Sequence, residues 1–385
     1  MKKLIRIGTI MQKEILHILR DKIMFMIAFV APIALMLLFG FIYIQNSVVD
    51  IPIVVFDQDQ TDISRGIIRA FSDSEKFIIT GQVTSYQELE NTIQTEKAYM
   101  GVVIPPHLKE RLKNGQASEV AIIMNGANIL VMNTVANAAN QIIQTISAGV
   151  TMQVMEGFGM AKKKAYQAVT AVSFRTRIWY NPATSYLIFM LLGLLGTAIQ
   201  QLTFLGVALS FSKEREQGGL KQLLTTKLKW SEIIVGKSLV YLIIYTFEAV
   251  LMYGLAIFFF KVPMRGDSSL LILSTVIFMF SLIAMGMAIS LLATSTAQAI
   301  QLSMLIAVPS FLISGYTWPY MSMPGFLQVI TKLLPLTHYL EIIRSIVLMG
   351  NGLEVIFPKL ITLGIFGLIF LPLTAIILKW RLQAR

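Results

Sequence analysis

Long apolar stretches alternate with polar segments along the chain, and their lengths determine the predicted architecture. Six stretches are apolar over enough residues to cross the hydrocarbon core of a bilayer as α-helices: residues 23–44, 185–210, 238–260, 270–292, 299–315 and 360–378. The first is too long for a signal peptide, and no small-residue cleavage site follows it. The pattern therefore predicts an α-helical integral membrane protein with six transmembrane helices.

Residues 1–22, before the first apolar stretch, have the periodicity of an amphipathic helix. One side carries the apolar residues Leu4, Ile7, Met11, Ile15 and Ile18. Ile10 is the exception, because it is apolar but does not fall on this side. The opposite side carries basic residues and a histidine: Lys3, Arg6, Lys13, His17 and Arg20. Such a helix lies in the headgroup layer, where its basic face is attracted to anionic lipid. We therefore predict a helix at the membrane surface.

The segment 45–182 is polar and predicts an inserted α/β domain. Short runs rich in β-branched residues predict four strands, at residues 51–56, 77–81, 98–104 and 120–124. Three helices are predicted between them, at residues 64–71, 86–97 and 107–113. A longer helix is predicted from residue 128 toward 171, with an apolar seam that packs within this domain or against a second subunit. Asp57 and Asp59 follow the first strand without a glycine-rich loop, so we interpret them as turn residues.

The placement of charge predicts the orientation of the chain in the membrane. The formal net charge is +11, and the excess of Lys and Arg lies in residues 1–22, 211–237 and 379–385, beside apolar stretches. Short basic segments stay on the cytoplasmic side, so both termini are predicted inside and the 45–182 domain outside. The same placement argues against nucleic-acid binding, which needs a basic face with interleaved aromatic residues.

Few residues in the sequence are suited to chemistry. The chain has no cysteine, which excludes disulfides, thiolate nucleophiles and Cys-based metal sites. His17, His107 and His338 are too far apart in sequence to suggest a metal cluster. Gly236-Lys237-Ser238 resembles the end of a phosphate-binding P-loop, but Ser231 stands where that motif requires glycine. No metal or ATP site is therefore predicted on this chain. If its activity requires energy, that energy must come from a partner or from an ion gradient.

The polar segment 211–237 separates the second and third predicted spans and carries the most informative motif. The helical spacing of Leu220, Leu223 and Leu224 predicts a short amphipathic helix lying under the membrane. Before it come Glu214-Arg215-Glu216 and Gly218; after it come Thr225-Thr226, Glu232 and Gly236-Lys237. This order resembles the first cytoplasmic loop of type-2 ABC exporter permeases.

In that family the loop forms a coupling helix, which seats in a cleft of a separate ATPase subunit. The resemblance assigns this contact to twelve residues: Glu214, Arg215, Gly218, Leu220, Leu223, Leu224, Thr225, Thr226, Trp230, Glu232, Gly236 and Lys237. Gly219 and Lys227 depart from the family's usual Thr and Pro, so we expect a looser start of the helix. The resemblance also implies an ATPase dimer that binds Mg-ATP, no cofactor on this chain, a second permease chain, and an elbow-helix role for residues 1–22.

The segment 316–349 is apolar but too interrupted by proline to form one spanning helix. Pro319, Pro324 and Pro335 divide it into pieces that predict two half-helices dipping back from the outer surface. Eight residues in order resemble the outer re-entrant hairpin of the same family: Gly315, Pro319, Met323, Pro324, Pro335, Tyr339, Glu341 and Arg344. The resemblance implies an outer gate. Glu341 and Arg344 also have the spacing of a local ion pair.

Glu248 is the acidic residue well inside a predicted span, where carboxylates are rare and costly. It either faces a substrate path or makes a helix contact. The resemblance implies a permease subunit that exports drug-like or lipid-like amphipathic molecules across a bacterial inner membrane, with a periplasmic adaptor as a further partner. Two alternatives remain open: a proton-driven secondary exporter with Glu248 as its proton site, and a non-transporting receptor whose outer domain binds a ligand.

Overall fold

The computed structural model describes residues 2–44, 49–169, 179–181, 185–219, 222, 225–226 and 228–383. The chain divides into two units, Met1–Asn46 with Ile178–Arg385, and Ser47–Arg177. The described residues include six helices that are long and apolar enough to cross a membrane. This confirms a helical membrane protein with the six predicted spans.

Helix α1 (Lys2–Arg20) precedes the first span, and its packed face differs from the predicted one. Ile10, Glu14 and Ile18, spaced by four residues, are buried, whereas Leu4 and Ile15 are 74% and 40% exposed. The packed side therefore includes Ile18 of the predicted apolar side but is rotated away from Leu4 and Ile15 and toward Ile10 and Glu14. The reason is electrostatic, because a lysine from another helix lies opposite Glu14, as described below.

The first span, α2 (Lys22–Ile42), begins directly after α1. Asp21 caps it by accepting hydrogen bonds from the amides of Ile23 and Met24 at 3.0 and 3.2 Å. The helix widens into a π turn at Met26–Val30, just before Pro32. Proline lacks the amide hydrogen that would continue the α-helical ladder, and a π turn is one way for a helix to absorb that loss.

The second unit contains a four-stranded sheet of order β2-β1-β3-β4. The strands lie where the sequence predicts them: β1 Ile51–Asp57, β2 Phe77–Gln82, β3 Met100–Ile104 and β4 Ala121–Met124. The first three are parallel and β4 is antiparallel to β3. The predicted helices between them are α3 (Asp62–Ser72), α4 (Tyr86–Gln94) and α5 (Leu108–Lys113).

Both faces of the sheet are covered, as parallel strands require. Residues of β1 that point to one face pack with Phe71 of α3, and residues that point to the other pack with Leu89 of α4. Helix α6 (Ile129–Gly157) packs on the first face through Val135 and Ala139. The apolar seam of this helix therefore packs within its own unit.

The predicted long helix is two helices in the structure. After α6 the chain turns at Gly159, whose φ of +86° lies in the left-handed region, and resumes as α7 (Lys162–Val169). Glycine adopts this conformation without the steric cost that a Cβ atom would impose, so the sequence favours a break here.

The turn interpretation of Asp57 agrees with the structure. One oxygen of its carboxylate accepts hydrogen bonds from the amides of Asp59 and Gln60, both at 3.0 Å. The other accepts one from the Ser64 hydroxyl at 2.7 Å. This carboxylate fixes the loop between β1 and α3.

The membrane unit continues with four long helices: α8 (Tyr186–Glu216), α9 (Trp230–Phe258), α10 (Ser268–Leu292) and α11 (Thr296–Ile313). Helices α8 and α10 pack against each other and each contacts several other spans. The flanking helices extend into the segment 211–237 predicted as the coupling loop. Helix α8 continues to Glu216 and α9 already begins at Trp230, because the polar side chains at these ends are paired inside the protein.

Two short helices follow α11 in the segment predicted to form a re-entrant hairpin. Helix α12 (Gly325–Lys332) begins after Pro324, and α13 (Pro335–Ile343) begins with Pro335 and continues as a π turn, Arg344–Leu348. The last helix, α14 (Leu353–Gln383), starts earlier than the predicted sixth span and contains Pro358 and Pro372.

The core of the second unit gives a test of its packing. Phe71 is 0% exposed, so Phe71→Ala should lower the unfolding free energy of this unit by about 3–5 kcal/mol. Hydrogen–deuterium exchange of β1 amides in the purified full chain measures the loss. Ile78→Ala, at a position that is 49% exposed on β2, should cost only about 0.5 kcal/mol. Equal acceleration of exchange in both variants would contradict the described core.

Candidate functional site

The residues assigned to ATPase coupling by the resemblance lie in the loop between α8 and α9 and in the helix ends on either side of it. Gly218 follows α8 with a φ of +75°, and its carbonyl accepts a hydrogen bond from the Gln222 amide at 3.1 Å. The Thr225 hydroxyl donates to the Gln222 carbonyl at 2.8 Å, and the Thr226 hydroxyl accepts from the Leu228 amide at 3.3 Å. Leu220, Leu223 and Leu224 lie outside the described residues, so the amphipathic helix remains a prediction.

A buried ionic cluster joins the two ends of this loop to α1. We call it the Lys237 cluster; its members are Glu14 of α1, Ser210 and Glu214 of α8, and Lys237 and Tyr241 of α9. The Lys237 ammonium lies 3.0 Å from Glu14 Oε1, 2.6 Å from Glu214 Oε2 and 2.9 Å from Ser210 Oγ. The Ser210 and Tyr241 hydroxyls each donate to Glu14 Oε1 at 2.6 Å.

Lys237 is the centre of the cluster and is only 1% exposed. Its three acceptors match the three N–H donors of an ammonium group, and its Nζ also lies 4.6 Å from the centroid of the Phe211 ring. Lys237 sits within helix α9. The similarity of Gly236-Lys237-Ser238 to a phosphate-binding loop therefore has no counterpart in the fold.

Glu14 has a strongly shifted pKa. Burial by itself would raise the pKa of this carboxyl, but the Lys237 ammonium and the hydrogen bonds from Ser210, Tyr241 and Lys237 outweigh burial and lower it to about 2. Glu14 is therefore ionised at neutral pH. One signal of its role is present in the sequence, since Ile10, four residues earlier, does not fit the apolar side of the predicted amphipathic helix.

Further ion pairs attach the end of α8 to its surroundings. Lys213 Nζ lies 2.6 Å from Asp21 Oδ2, and Lys13 pairs with Glu214. Arg215 Nη1 donates to the Ser290 carbonyl of α10 at 3.1 Å.

The last residue of α8 also contacts α11. The two oxygens of the Glu216 carboxylate accept from the amide and hydroxyl of Thr296 at 2.6 and 2.7 Å. The end of α8 is thus joined to α1, to the cap of α2, to α10 and to α11.

The start of α9 is fixed in a similar way. The Glu232 carboxylate accepts from the Lys229 amide at 2.9 Å and lies 3.7 Å from Arg6 Nη1. A Cβ atom on Gly236 would lie 2.8 Å from a methyl carbon of Ile10, so only glycine permits this approach of α9 to α1. Trp230, at the first turn of α9, is 39% exposed. Among the assigned coupling residues, Glu214, Glu232 and Lys237 are buried and position the loop, while Trp230 lies on the surface.

The hairpin residues form a second site, centred on Tyr339. The Tyr339 hydroxyl lies 2.8 Å from the Tyr253 hydroxyl and 2.8 Å from Thr275 Oγ1, and its ring stacks on Phe278 at 3.8 Å between centroids. Helix α13 is thereby attached to both α9 and α10.

Other hairpin residues shape the turns before α13. Gly315 has a φ of +80° directly after α11, Pro319 precedes a short 3-10 turn, and the Met323 carbonyl accepts from the Gln328 side-chain amide at 2.9 Å.

The local ion pair predicted between Glu341 and Arg344 does not form. Glu341 instead pairs with Lys359 of α14 at 2.8 Å, while the Arg344 guanidinium lies over the Tyr316 ring, 4.6 Å from its centroid. Each charge therefore joins the hairpin to a different element.

Glu248 lies in α9 with 3% of its surface exposed. Neither carboxylate oxygen has a hydrogen-bond partner among the described residues. The described residues contain no group of three or more His, Asp and Glu side chains that could bind a metal ion.

Comparison with known proteins places this architecture in a family. Residues 22–376 match the family described as ABC-2 family transporter protein. The chain belongs to this ABC-2 transporter family. Its predicted resemblance to type-2 ABC permeases is therefore confirmed.

Several bacterial permeases are similar to this ABC-2 chain over nearly its whole length. The probable multidrug ABC transporter permease YbhR of Escherichia coli is 29% identical over 92% of this chain and 93% of its own. The probable multidrug ABC transporter permease YbhS of the same organism is 25% identical over 98% of both chains. The inner membrane transport permease YhhJ, also of E. coli, is 25% identical over 86% of this chain and 85% of its own.

The Lys237 cluster of this ABC-2 chain predicts a large cost for removing its central charge. Lys237→Met leaves Glu14 and Glu214 buried without their shared counter-ion, so we expect a loss of about 3–5 kcal/mol of unfolding free energy. Lys213→Met, which breaks a pair that is 23% and 18% exposed, is the matched control and should cost about 1 kcal/mol or less. The unfolding free energies of the two purified variants are compared in detergent. Similar losses in both would contradict a central role for the Lys237 charge.

The pKa of Glu14 predicts a specific acid sensitivity. Its folded pKa of about 2 lies below the ordinary value of 4.5, so its contribution is complete above pH 4.5 and is lost as the pH falls toward 2. The contribution is roughly 3 kcal/mol at 1.36 kcal/mol per pKa unit. Unfolding midpoints measured across this pH range should fall more steeply for the natural chain than for Glu14→Gln. Parallel curves would show that Glu14 is not held ionised.

Proposed function

We propose that this chain is the membrane-spanning permease subunit of an ATP-driven exporter for amphipathic small molecules. The observation that carries the proposal is the Lys237 cluster, which joins both ends of the α8–α9 loop to α1. Membership in the ABC-2 transporter family and the likeness to permeases named as multidrug transporters support the same function. ATP hydrolysis takes place on a partner chain, where Mg-ATP binds.

In this proposal the loop between Glu216 and Trp230 seats on an ATPase dimer beneath the membrane. Force applied to the loop reaches α8 and α9 at once, because the loop joins their ends. Lys237, Glu14 and Glu214 connect these ends to α1, so the three helix ends move together. Glu214 and Lys237 act by positioning, since both side chains are buried, and the surface of the loop supplies the contact.

The orientation of the chain follows from its charge. The basic segments at both termini and around the α8–α9 loop lie on the cytoplasmic side of a bacterial inner membrane. The second unit, between α2 and α8, is then outside the cytoplasm, where it is placed to meet a periplasmic adaptor. A second permease chain, identical or related, completes the translocation path.

The hairpin of α12 and α13 serves as the outer gate in this proposal. Its contacts with α9 and α10 run through the hydroxyl groups of Tyr339, Tyr253 and Thr275. Such bonds exchange partners at low cost compared with buried ion pairs. The gate end of the bundle is therefore easier to rearrange than the loop end.

Copurification tests the coupling. The full chain, coexpressed with its ATPase, should retain that subunit during purification, and Leu223→Asp with Leu224→Asp should release it by placing charge on the apolar docking face. Leu333→Asp is the matched control, because this leucine is 62% exposed in the hairpin and should leave the complex intact. Retention of the ATPase by the double variant would overturn the proposed docking site.

The source of energy distinguishes this function from a proton-driven exporter. Efflux from intact cells, or the equivalent uptake into inverted vesicles, should stop when ATP is depleted and continue when an uncoupler collapses the proton gradient. The alternative function rests on Glu248, whose carboxylate has no hydrogen-bond partner in the part of the chain that is described. Efflux that survives ATP depletion but stops with uncoupler and in Glu248→Gln would favour that alternative.

A further inference from the structure

A large cleft lies in the second unit, which contains neither of the sites described above. It has a volume of about 540 Å³ and lies between α6 on one side and α3, α5 and residues 115–120 on the other. Its lining is mainly apolar and includes Ile67, Leu108, Ile143, Ile146, Val154 and Phe158. Pockets that bind small molecules commonly have volumes of about 300–1,000 Å³ and apolar linings of this kind.

Its apolar lining restricts the chemistry of an occupant. Its polar lining residues, Gln116, Ser118, Ser147 and Thr151, are uncharged, and Lys, Arg, Asp and Glu are absent from its lining. The Ser118 hydroxyl oxygen is buried without a hydrogen-bond partner among the described residues. Apolar walls gain dispersion contacts and release water when an apolar chain fills them. The cleft therefore fits a hydrocarbon chain better than a polar ligand.

Charged residues line a recess of about 340 Å³ that adjoins the cleft. The recess shares Ile63, Leu112 and Val154 with the cleft, so the two spaces are continuous in their lining. Its charged residues are Asp62, Lys109 and Lys113. Lys109 pairs with Asp62 at 2.5 Å, whereas the Lys113 ammonium makes no hydrogen bond or ion pair with any described residue. The recess thus has an unneutralised positive charge beside an apolar cleft.

We propose that the cleft and recess together bind a single-chain amphiphile with an anionic headgroup, of the fatty-acid class. The hydrocarbon chain occupies the space between α6 and α3, and the carboxylate faces Lys113. This binding does not depend on the proposed function, since it involves only residues of the second unit. Charge complementarity selects an anionic headgroup over a cationic one, because a cation would face Lys113 with like charge.

Photolabelling of the full chain in phosphatidylcholine nanodiscs tests the position of the chain. The probe is palmitic acid with a diazirine near its methyl end, and mass spectrometry maps the labelled peptides. We expect the label on residues 143–158, and we expect Val150→Trp, which fills the cleft, to abolish it. Label confined to the membrane spans, or unchanged in Val150→Trp, would overturn the proposal.

Competition tests the headgroup with a variant that leaves the core untouched. Palmitate and palmityl alcohol are compared as competitors of the probe. Lys113→Gln should weaken palmitate roughly fivefold, as expected for one solvent-accessible ion pair of about 1 kcal/mol, and should leave the alcohol unchanged. Lys97→Gln, at an exposed lysine outside the cleft, is the control and should change neither. Equal competition by acid and alcohol in the natural chain would overturn the anionic assignment.

Discussion

A single buried ammonium group sets the arrangement of the helices around the α8–α9 loop. Taking the Lys237 charge out of water costs several kcal/mol, and only nearby opposite charge can offset that cost. The two carboxylates that do so come from different helices, Glu14 from α1 and Glu214 from α8. Separation of any one of the three helix ends from the other two would break at least one of the two buried ion pairs of Lys237. The cluster therefore contributes more to selecting one arrangement of α1, α8 and α9 than to the free energy of unfolding.

Small residues make this arrangement sterically possible. Gly236 lets α1 approach α9, and Gly206 of α8 lies where a Cβ atom would overlap the Tyr245 hydroxyl of α9. Close approach of backbones is the usual basis of helix association in membranes, where apolar burial gives little advantage over lipid contact. In this chain, close packing and ion pairing coincide at the same helix ends. The hairpin relies instead on aromatic stacking and hydroxyl contacts around Tyr339.

Sequence patterns predicted a helix or strand well where a single property of the local sequence determines it. Spans follow from the length of apolar runs, and the strands of the second unit follow from short β-branched segments bounded by turns. The ends of α8 and α9 could not be predicted in this way. Lys, Arg and Glu at residues 211–237 have the composition of a loop, and only the three-dimensional pairing of these charges makes helix possible. Glu14 shows the same limit, because its partners are 196 and more residues away in sequence.

Because some of the charges are buried and others are exposed, their interactions should respond differently to ionic strength. At physiological salt, mobile ions largely screen interactions between solvent-exposed charges that are more than about 8 Å apart, whereas buried ion pairs are screened much less. Attachment of α1 to α9 through Lys237 should therefore change little with salt, whereas an electrostatic contact made by an exposed charge beside the α8–α9 loop, such as Lys229, should weaken as salt rises. The strength of a contact at the α8–α9 loop can therefore vary with ionic strength, while the buried ion pairs that join α1, α8 and α9 stay the same.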